Sequence, residues 1–134
     1  MTEVTQISDQ VLVALKNIPT QTLIDGLWVK GWPSGYIEGA LPLKAGQSMA
    51  GRAVTLRFVP HRPDLAEDKP KREQSAEYVA IEICGPSEVL VIDAMGWTYS
   101  SIGGDIKFMR LMQRKVGGLV TDGGVRDSVM LKDY

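Results

Sequence analysis

The amino-acid sequence predicts an α/β domain, in which helices and strands alternate along the chain. Residues 51–59 alternate apolar and polar side chains, which is the pattern of a half-buried strand. Glu88–Ala94 form a near-continuous apolar run, which is typical of a buried strand. Apolar residues at helical spacing precede, separate and follow these two stretches. The resulting order, α, α, β, α, β, α, β and the start of another helix, indicates a central sheet.

Two helices are predicted near the start of the chain, at residues 8–17 and 20–29, and we interpret both as packing elements. Their candidate N-caps are Ser8 or Asp9 for the first helix and Thr20 or Thr22 for the second. Residues 30–50 are rich in Gly and Pro, so we expect a long surface loop there.

The charged, Pro-containing segment His61–Glu73 is predicted to be a solvated loop, with a mobile lid as the alternative. No serine or cysteine pattern accompanies His61, so we assign it no catalytic role. The helix predicted next, at residues 74–84, has the apolar positions Ala76, Val79, Ala80 and Ile83. Cys84 at its end is expected to be a buried small hydrophobe, and Asp93 at the end of the following strand is expected to be structural.

The stretch from Gly103 to Asp127 contains the candidate functional site. A Gly103-Gly104-Asp105 turn opens a predicted helix, whose apolar positions are Ile106, Met109, Leu111, Met112 and Val116. Gly117 and Gly118 are expected to end this helix, and residues 119–121 return as a short buried strand. The strand delivers Arg126 and Asp127 after a turn. A helix followed by a returning strand can bring the two ends of the stretch together.

The residue types at these two ends suit a small carboxylate and a divalent metal. Unpaired N–H groups at a helix start attract anions, and glycines let a ligand approach the backbone. Arg126 offers a planar fork that fits a carboxylate, and Asp127 offers a hard oxygen of the kind that Mg²⁺ or Mn²⁺ binds. The plain alternative is a capped helix, a β-turn and an Arg–Asp pair on the surface.

Length and composition exclude several classes of protein. The 134 residues indicate one domain, residues 1–134, and a hydrophobic content of 44% provides enough apolar material for a core. A net charge of −1 gives no electrostatic footprint for nucleic acid, and no apolar run approaches the ~20 residues of a membrane span. A single cysteine and an N-terminus without signal-peptide features favour the cytoplasm.

The spacing of the site residues carries a family resemblance. Twenty residues separate Asp105 from Arg126, and Asp127 follows directly. This pattern, with the text GGD and KVGGLVTDGGVRD around it, resembles the family that joins regulator of ribonuclease activity A (RraA) to the class II pyruvate aldolases, such as 4-hydroxy-4-methyl-2-oxoglutarate aldolase. The likeness extends to residues 34–43 and 50–60, and so covers most of the chain.

The resemblance implies a fold and an assembly. The fold is a small βαβ-rich sandwich that resembles the swivelling phosphohistidine domain, and the assembly is a homotrimer or homohexamer. The helix that starts near Asp127 meets no stop signal before Tyr134, so we expect the C-terminal part of the domain to lie outside this chain. Trp32, Tyr36 and Trp97 fall in predicted loops, and we expect some of them to pack against a neighbouring subunit.

The resemblance also implies roles for the site residues. Asp127 corresponds to the metal ligand, Arg126 to the arginine that contacts a 2-oxo acid, and Asp105 to the aspartate that holds a water at the metal. The backbone that receives the substrate's carboxylate corresponds to Gly104, Asp105, Ile106 and Lys107. The implied activity, with Mg²⁺ or Mn²⁺, is cleavage of a 2-oxo acid to pyruvate. Its forms are retro-aldol cleavage of 4-hydroxy-4-methyl-2-oxoglutarate-type substrates and decarboxylation of oxaloacetate.

Two other functions stay open at this point. The same family includes non-enzymatic regulators that bind a ribonuclease, and such regulators need not keep the metal-binding aspartate. The presence of both Arg126 and Asp127 favours the enzyme. The other possibility is an orphan member with an intact metal site and a different 2-oxo or hydroxy acid as substrate.

Overall fold

The computed structural model describes residues 6–33, 35–67 and 69–133 of the chain. Three parallel strands form a sheet in the order β1-β2-β3, where β1 is Arg52–Arg57, β2 is Glu88–Asp93 and β3 is Gly118–Thr121. Arg52 lies opposite Glu88 at one end of the first pair, and Arg57 lies opposite Asp93 at the other. The predicted α/β class is therefore confirmed; the likeness to the phosphohistidine domain stays a prediction.

The helices in the described ranges are α1 Asp9–Lys16, α2 Thr20–Val29, α3 Pro63–Ala66, α4 Ala76–Ile83, α5 Asp105–Gln113 and α6 Ser128–Leu131. Ser8 caps α1, because its hydroxyl accepts a hydrogen bond from the amide of Val11 at 3.4 Å. The predicted threonine cap of α2 is wrong. The carbonyl of Pro19 accepts the first helical hydrogen bond, from Leu23, so both candidate threonines already lie inside the helix. No helix in the described ranges is long and apolar enough to cross a membrane.

The segment after β1 is more ordered than the sequence indicated. It contains α3 and a 3₁₀ turn at Arg72–Gln74, so the prediction of one continuous loop from His61 to Glu73 is wrong. Pro63 occupies the first turn of α3, where its missing N–H would have no helical partner in any case. Residues 35–50 carry no helix or strand, as expected for the described part of the long loop; Ser34 lies outside the described residues.

The core lies where α4 and α5 cover the sheet. Its buried members are Ala80, Ile81, Cys84, Leu90, Ile92, Ala94, Ile102 and Leu111. Cys84 is fully buried, as predicted, and this desolvation raises the pKa of its thiol. In β1, the apolar side of the predicted alternation faces the helices and the other side faces solvent.

The inward faces of α4 and α5 match the sequence prediction only in part. In α4, Ala80 is buried as predicted, but Ile81 is buried as well, and Ala76, Val79 and Ile83 are exposed. In α5, Leu111 is buried as predicted, while Ile106, Met109 and Met112 are exposed. Apolar residues occupy more than one side of each helix, so helical periodicity alone could not select the side that meets the sheet.

Helix α5 ends earlier than predicted. It stops at Gln113, Lys115 takes a left-handed conformation with φ of 56°, and the amide of Val116 donates back to the carbonyl of Leu111 at 3.0 Å. This is the geometry of a helix C-cap, formed here by lysine in place of the usual glycine. Gly117 serves another purpose, since a Cβ there would lie 2.8 Å from the carbonyl oxygen of Glu88.

A candidate site at the start of helix α5

The chain after β3 returns to the start of α5, as the sequence predicted. Residues 122–126 run beside residues 101–103, where Ser101 and Gly124 form an isolated parallel bridge. The amide of Ile102 donates to the carbonyl of Gly124 at 2.9 Å, and the amide of Arg126 donates to the carbonyl of Gly103 at 3.2 Å. These backbone hydrogen bonds place Arg126 and the following aspartate next to the N-terminus of α5.

Gly104 allows the close approach of the Arg126–Asp127 pair. A Cβ at position 104 would lie 2.5 Å from Nε of Arg126 and even closer to Oδ2 of Asp127. The φ of Gly104 is −136°, which any residue adopts, so space and not backbone freedom requires glycine here. The sequence predicted that Gly104 leaves its backbone open to a ligand. In the structure this backbone lies against the side chains of Arg126 and Asp127, which are themselves predicted to bind that ligand.

The backbone of Asp127 directs its carboxylate away from its own helix. Asp127 precedes α6 with φ of 59° in the left-handed region, and its side chain makes no capping hydrogen bond to α6. Its Oδ2 instead accepts a hydrogen bond from the amide of Asp105 at 3.2 Å. Aspartate is among the few residue types that tolerate this backbone region. The predicted metal ligand thus faces the predicted anion-binding turn.

The amide groups at the start of α5 donate to oxygens of the chain itself. The amide of Ile106 donates to Oδ1 of Asp105 at 2.8 Å, and that of Lys107 donates to the carbonyl of Gly104 at 3.1 Å. With the Asp105–Asp127 bond, two of these amides are held by side-chain carboxylates. The amides at this helix start, which the sequence predicted to be unpaired, are therefore already paired within the chain.

The side chain of Lys107 points away from the site. Its Nζ donates to Oε1 of Glu77 at 2.7 Å and to the carbonyl of Ile102 at 3.3 Å, and it lies 5.5 Å from the centre of the Tyr78 ring. The ion pair is mostly sheltered, with side-chain exposures of 22% and 28%. Lys107 therefore fastens α5 to α4, and only its backbone belongs to the candidate site.

The side chain of Arg126 is open to solvent. It is 70% exposed, and its Nε lies 3.7 Å from Oδ2 of Asp127. Among the described residues, this carboxylate is its only ion-pair partner. A guanidinium that is largely hydrated and weakly paired can turn to an incoming carboxylate without breaking a strong internal contact.

The residues present fit a sparsely coordinated hard cation. Asp127 supplies one carboxylate, which accepts from the amide of Asp105, whereas the carboxylate of Asp105 accepts from the amide of Ile106. The described residues contain no group of three or more His, Cys, Asp or Glu that could hold a metal. Mg²⁺ keeps several waters and uses one or two carboxylates, so one carboxylate can be sufficient, whereas a structural zinc site needs four ligands. Asp127 is the residue here that could hold such an ion.

Sequence reasoning missed the role of Asp122. Its two carboxylate oxygens accept hydrogen bonds from the amides of Ala94, at 2.6 Å, and Gly96, at 2.7 Å. These backbone hydrogen bonds hold the pKa of Asp122 below its usual range. The residue ties the end of β3 to the loop after β2. The position of Asp122 in the sequence could have indicated this role, because an aspartate that directly follows one parallel strand lies near the end of the neighbouring strand.

Asp93 has the structural role expected of it. Its carboxylate accepts from Nε of Arg57 at 2.6 Å and from the amide of Met95 at 2.8 Å. The first contact joins the ends of β1 and β2, and the second starts the loop that leads to the site. Trp32, Tyr36 and Trp97 all have exposed side chains, and their contact with a neighbouring subunit stays a prediction.

A cleft that the sequence did not indicate lies at the carboxyl ends of β1 and β2. Its volume is about 510 Å³, and its walls are residues 58–61 after β1 and Ala94, Met95, Trp97 and residues 100–102 after β2. The predicted site residues do not line it. Ser101 and Ile102, however, belong both to its wall and to the segment that leads directly into Gly103.

Comparisons with known proteins give the same fold. A family model described as RraA-like, Aldolase/RraA, matches residues 5–134. A crystal structure of an uncharacterized protein from Pseudomonas syringae pv. tomato has a TM-score of 0.79 at 22% identity, with 99% of this chain and 56% of that chain covered. Its identity is low enough that the likeness shows the fold alone.

Two further solved structures carry RraA descriptions. RraAS2 of Streptomyces coelicolor, described as an unusual member of the RNase ES inhibitor RraA protein family, has a TM-score of 0.80 at 28% identity, over 96% of this chain and 61% of that one. The RNA-processing inhibitor RraA of Thermus thermophilus has a TM-score of 0.56 at 24% identity, over 87% and 62%. The chain spans about three fifths of the length of these proteins.

Proposed function

This chain belongs to the RraA-like family, and we propose that it is a divalent-metal-dependent lyase that cleaves a 2-oxo acid to give pyruvate. The observation that carries the proposal is the contact between Oδ2 of Asp127 and the amide of Asp105, next to the exposed guanidinium of Arg126. It joins a hard carboxylate ligand, a helix N-terminus and a planar cation. A small dicarboxylate or 2-oxo acid and its metal need these three groups together.

In this proposal each residue has a separate task. Asp127 holds Mg²⁺ or Mn²⁺, which when bound supplies Lewis-acid polarisation of the 2-oxo group. Arg126 binds the 2-oxo acid and stabilises the negative charge that grows on the pyruvate enolate as the carbon–carbon bond breaks. Asp105 orients a water that carries a proton to or from the reacting atoms.

The start of α5 binds the carboxylate of the substrate. The amides of residues 104–107 lie at the positive end of the helix dipole, which favours an anion. Two of them now donate to Asp127 and Asp105, so the substrate exchanges one carboxylate partner for another. The proposed substrates are oxaloacetate, by decarboxylation, and 4-hydroxy-4-methyl-2-oxoglutarate-type acids, by retro-aldol cleavage. The proposed assembly is a homotrimer or homohexamer in the cytoplasm.

The second candidate is a non-enzymatic regulator that binds a ribonuclease. The descriptions of two structural relatives support it, since one is called an RNA-processing inhibitor and the other an unusual member of the RNase ES inhibitor RraA family. The position of Asp127 favours the lyase. Its carboxylate lies at a helix N-terminus beside an exposed guanidinium, and a metal-dependent lyase uses such a group, whereas binding to a protein partner through the surface does not require it. An orphan lyase with another 2-oxo or hydroxy acid keeps the same site and differs only in substrate.

The proposal is tested by pyruvate release from oxaloacetate and from 4-hydroxy-4-methyl-2-oxoglutarate, with Mg²⁺ or Mn²⁺ and again with EDTA. Oxaloacetate also decarboxylates with metal alone, so the rate without protein is subtracted. We expect metal-dependent release, reduced ~10²–10³-fold by Arg126→Lys, because an ammonium cannot replace the planar fork. Arg110→Lys, at the far end of α5, is the matched control and should retain the rate. No release above the protein-free rate, together with saturable binding to a ribonuclease, would favour the regulator.

A further inference from the structure

The cleft at the carboxyl ends of β1 and β2 has the size and position of a small-molecule site. Its volume of about 510 Å³ lies within the range of roughly 300–1,000 Å³ typical of such sites. Ligands of α/β proteins commonly bind at the carboxyl ends of the strands. The proposed roles of Arg126, Asp127 and the start of α5 leave this space unused.

The walls of the cleft are held in place by hydrogen bonds within the chain. Asp122 fixes one wall through the amides of Ala94 and Gly96. The amide of Trp97 donates to the carbonyl of Ala94 at 3.0 Å, and that of Phe58, on the other wall, donates to the carbonyl of Asp93 at 2.8 Å. A ligand therefore meets a cleft already formed, and little ordering of the protein opposes its binding.

The lining is mostly apolar, its polar side chains are Ser100, Ser101 and His61, and its described residues include no Arg, Lys, Asp or Glu. Trp97 and Met95 are 59% and 61% exposed, and Val59 on the opposite wall is also exposed. Among the ten described residues that line the cleft, His61 is the one with an ionisable side chain. An apolar or aromatic group gains by leaving water for such a surface, whereas a carboxylate loses hydration without gaining a cationic partner such as Arg or Lys.

The cleft adjoins the segment that leads into the candidate site. Ser101 and Ile102 form part of its wall, and the next two residues, Gly103 and Gly104, contact the Arg126–Asp127 pair. Three residue steps span at most about 11 Å, which is within reach of a short carbon chain. A 2-oxo acid anchored by its carboxylate at Gly104 can thus extend its far end to the cleft.

We propose that this cleft binds the substituent on C4 of the substrate and selects an aryl or alkyl group there over a carboxylate. The inference rests on the proposed lyase function and narrows its substrate class. It ranks 4-hydroxy-2-oxo acids with an apolar C4 substituent above the 4-hydroxy-4-methyl-2-oxoglutarate-type acids, whose C4 carries a carboxylate beside the methyl group. In the cleavage, the 4-hydroxyl loses its proton and the C3–C4 bond breaks. The electron pair passes to C3, which takes up a proton. The products are pyruvate and an aryl or alkyl aldehyde or ketone, and no oxidant or reductant is needed.

The test compares two unreactive acids that differ only at C4. 2-Oxo-4-phenylbutanoate carries a phenyl group where 2-oxoglutarate carries a carboxylate, and isothermal titration with the whole chain and Mg²⁺ gives a Kd for each. We expect the phenyl acid to bind about tenfold tighter or more. Trp97→Ala and Val59→Glu, on the two walls, should each bring the ratio of the two Kd values towards one or below. Trp28→Ala, an exposed tryptophan on α2, should leave the ratio unchanged.

Equal affinities, tighter binding of 2-oxoglutarate, no binding of either acid, or a ratio unaffected by both wall substitutions would overturn the assignment of the cleft. Pyruvate release from oxaloacetate, measured on the same preparations, reports the lyase function separately. Release from oxaloacetate without the phenyl preference contradicts the cleft and keeps the lyase. A phenyl preference lost in the wall variants, without release from any substrate, supports the cleft as a binding site and contradicts the lyase.

Discussion

The carboxylate of Asp127 accepts a hydrogen bond from the amide of Asp105, 22 positions earlier in the chain, at 3.2 Å. Three local features make this contact possible. The left-handed backbone of Asp127 turns the side chain towards α5, the amide of Arg126 is fixed to the carbonyl of Gly103, and Gly104 has no Cβ in the way. The candidate site is therefore one unit, and removal of any of the three should disturb it.

Substitution of Gly104 by alanine should impair the site while the fold persists. The added methyl group would overlap the side chains of Arg126 and Asp127, which are exposed and can move aside. We therefore expect a large loss of metal-dependent pyruvate release with a small change in the urea midpoint. Gly26→Ala is the control, because a Cβ there meets nothing within 4 Å and the residue lies inside α2. It should stabilise the protein by about 0.5–1 kcal/mol. Equal activity of both variants would contradict the packing described for Gly104.

Asp122 should stabilise the loop after β2 in a pH-dependent way. Its pKa is lowered in the folded chain relative to the unfolded value of about 3.9, so its contribution is complete at neutral pH and is lost as pH falls through the folded-state pKa. Asp122→Asn leaves a single oxygen to accept the two amides of Ala94 and Gly96. Hydrogen-exchange protection of these two amides at neutral pH should fall in the variant. Unchanged protection would show that the loop does not depend on Asp122.

The Lys107–Glu77 ion pair should contribute to stability and not to binding. Its side chains are mostly sheltered, so Lys107→Met should cost about 1–3 kcal/mol by leaving Glu77 without its partner. The double variant Lys107→Met with Glu77→Gln should recover part of that loss in urea unfolding, because it removes the unpaired charge. If the changes in unfolding free energy of the two single variants add up to that of the double variant, the two side chains are not coupled.

The exposed aromatic side chains predict an assembly. Trp32 and Tyr36 lie in the long loop after α2, where large aromatics are costly to leave in water. We expect light scattering to give a mass of three or six times that of the chain. Tyr36→Ser or Trp32→Ser should lower that mass, and Lys30→Ser, an exposed charged residue at the end of the adjacent helix, is the control. A monomeric mass for the unsubstituted protein would contradict the prediction.

The sequence predicted which helices and strands form more accurately than which side of each helix faces the sheet. Periodicity located α4, α5 and the three strands, because apolar spacing depends on local geometry. It could not select Ile81 over Val79 as an inward residue of α4, since that choice depends on which neighbour the helix meets. The end of α5 was misplaced for a related reason. Glycine usually forms the left-handed cap of a helix, so the sequence indicates an end at Gly117 and Gly118. In the structure Lys115 forms this cap instead.

For the candidate site, the spacing of Asp105 and Arg126 in the sequence was informative, whereas long-range contacts could not be read from the sequence. The twenty residues between Asp105 and Arg126 correspond to one helix and one strand, whose geometry returns the chain to its starting point. The clamp formed by Asp122 joins residues 26 and 28 positions apart through side-chain-to-backbone bonds, which leave no pattern in a single sequence. The cleft depends on two loops meeting, and was likewise beyond prediction.

Asp127→Asn measures whether Asp127 holds a metal that cleavage requires. Asparagine keeps the size of the side chain and tolerates the left-handed backbone, so folding should be nearly intact by circular dichroism. The measurement is pyruvate release from oxaloacetate above the protein-free rate, with Mg²⁺ or Mn²⁺ and with EDTA. Asp133→Asn, a nearby exposed aspartate, is the matched control. We expect Asp127→Asn and EDTA each to abolish release, while Asp133→Asn retains it. A wild-type rate in Asp127→Asn, or an unsubstituted protein indifferent to EDTA, would rule out this role of Asp127.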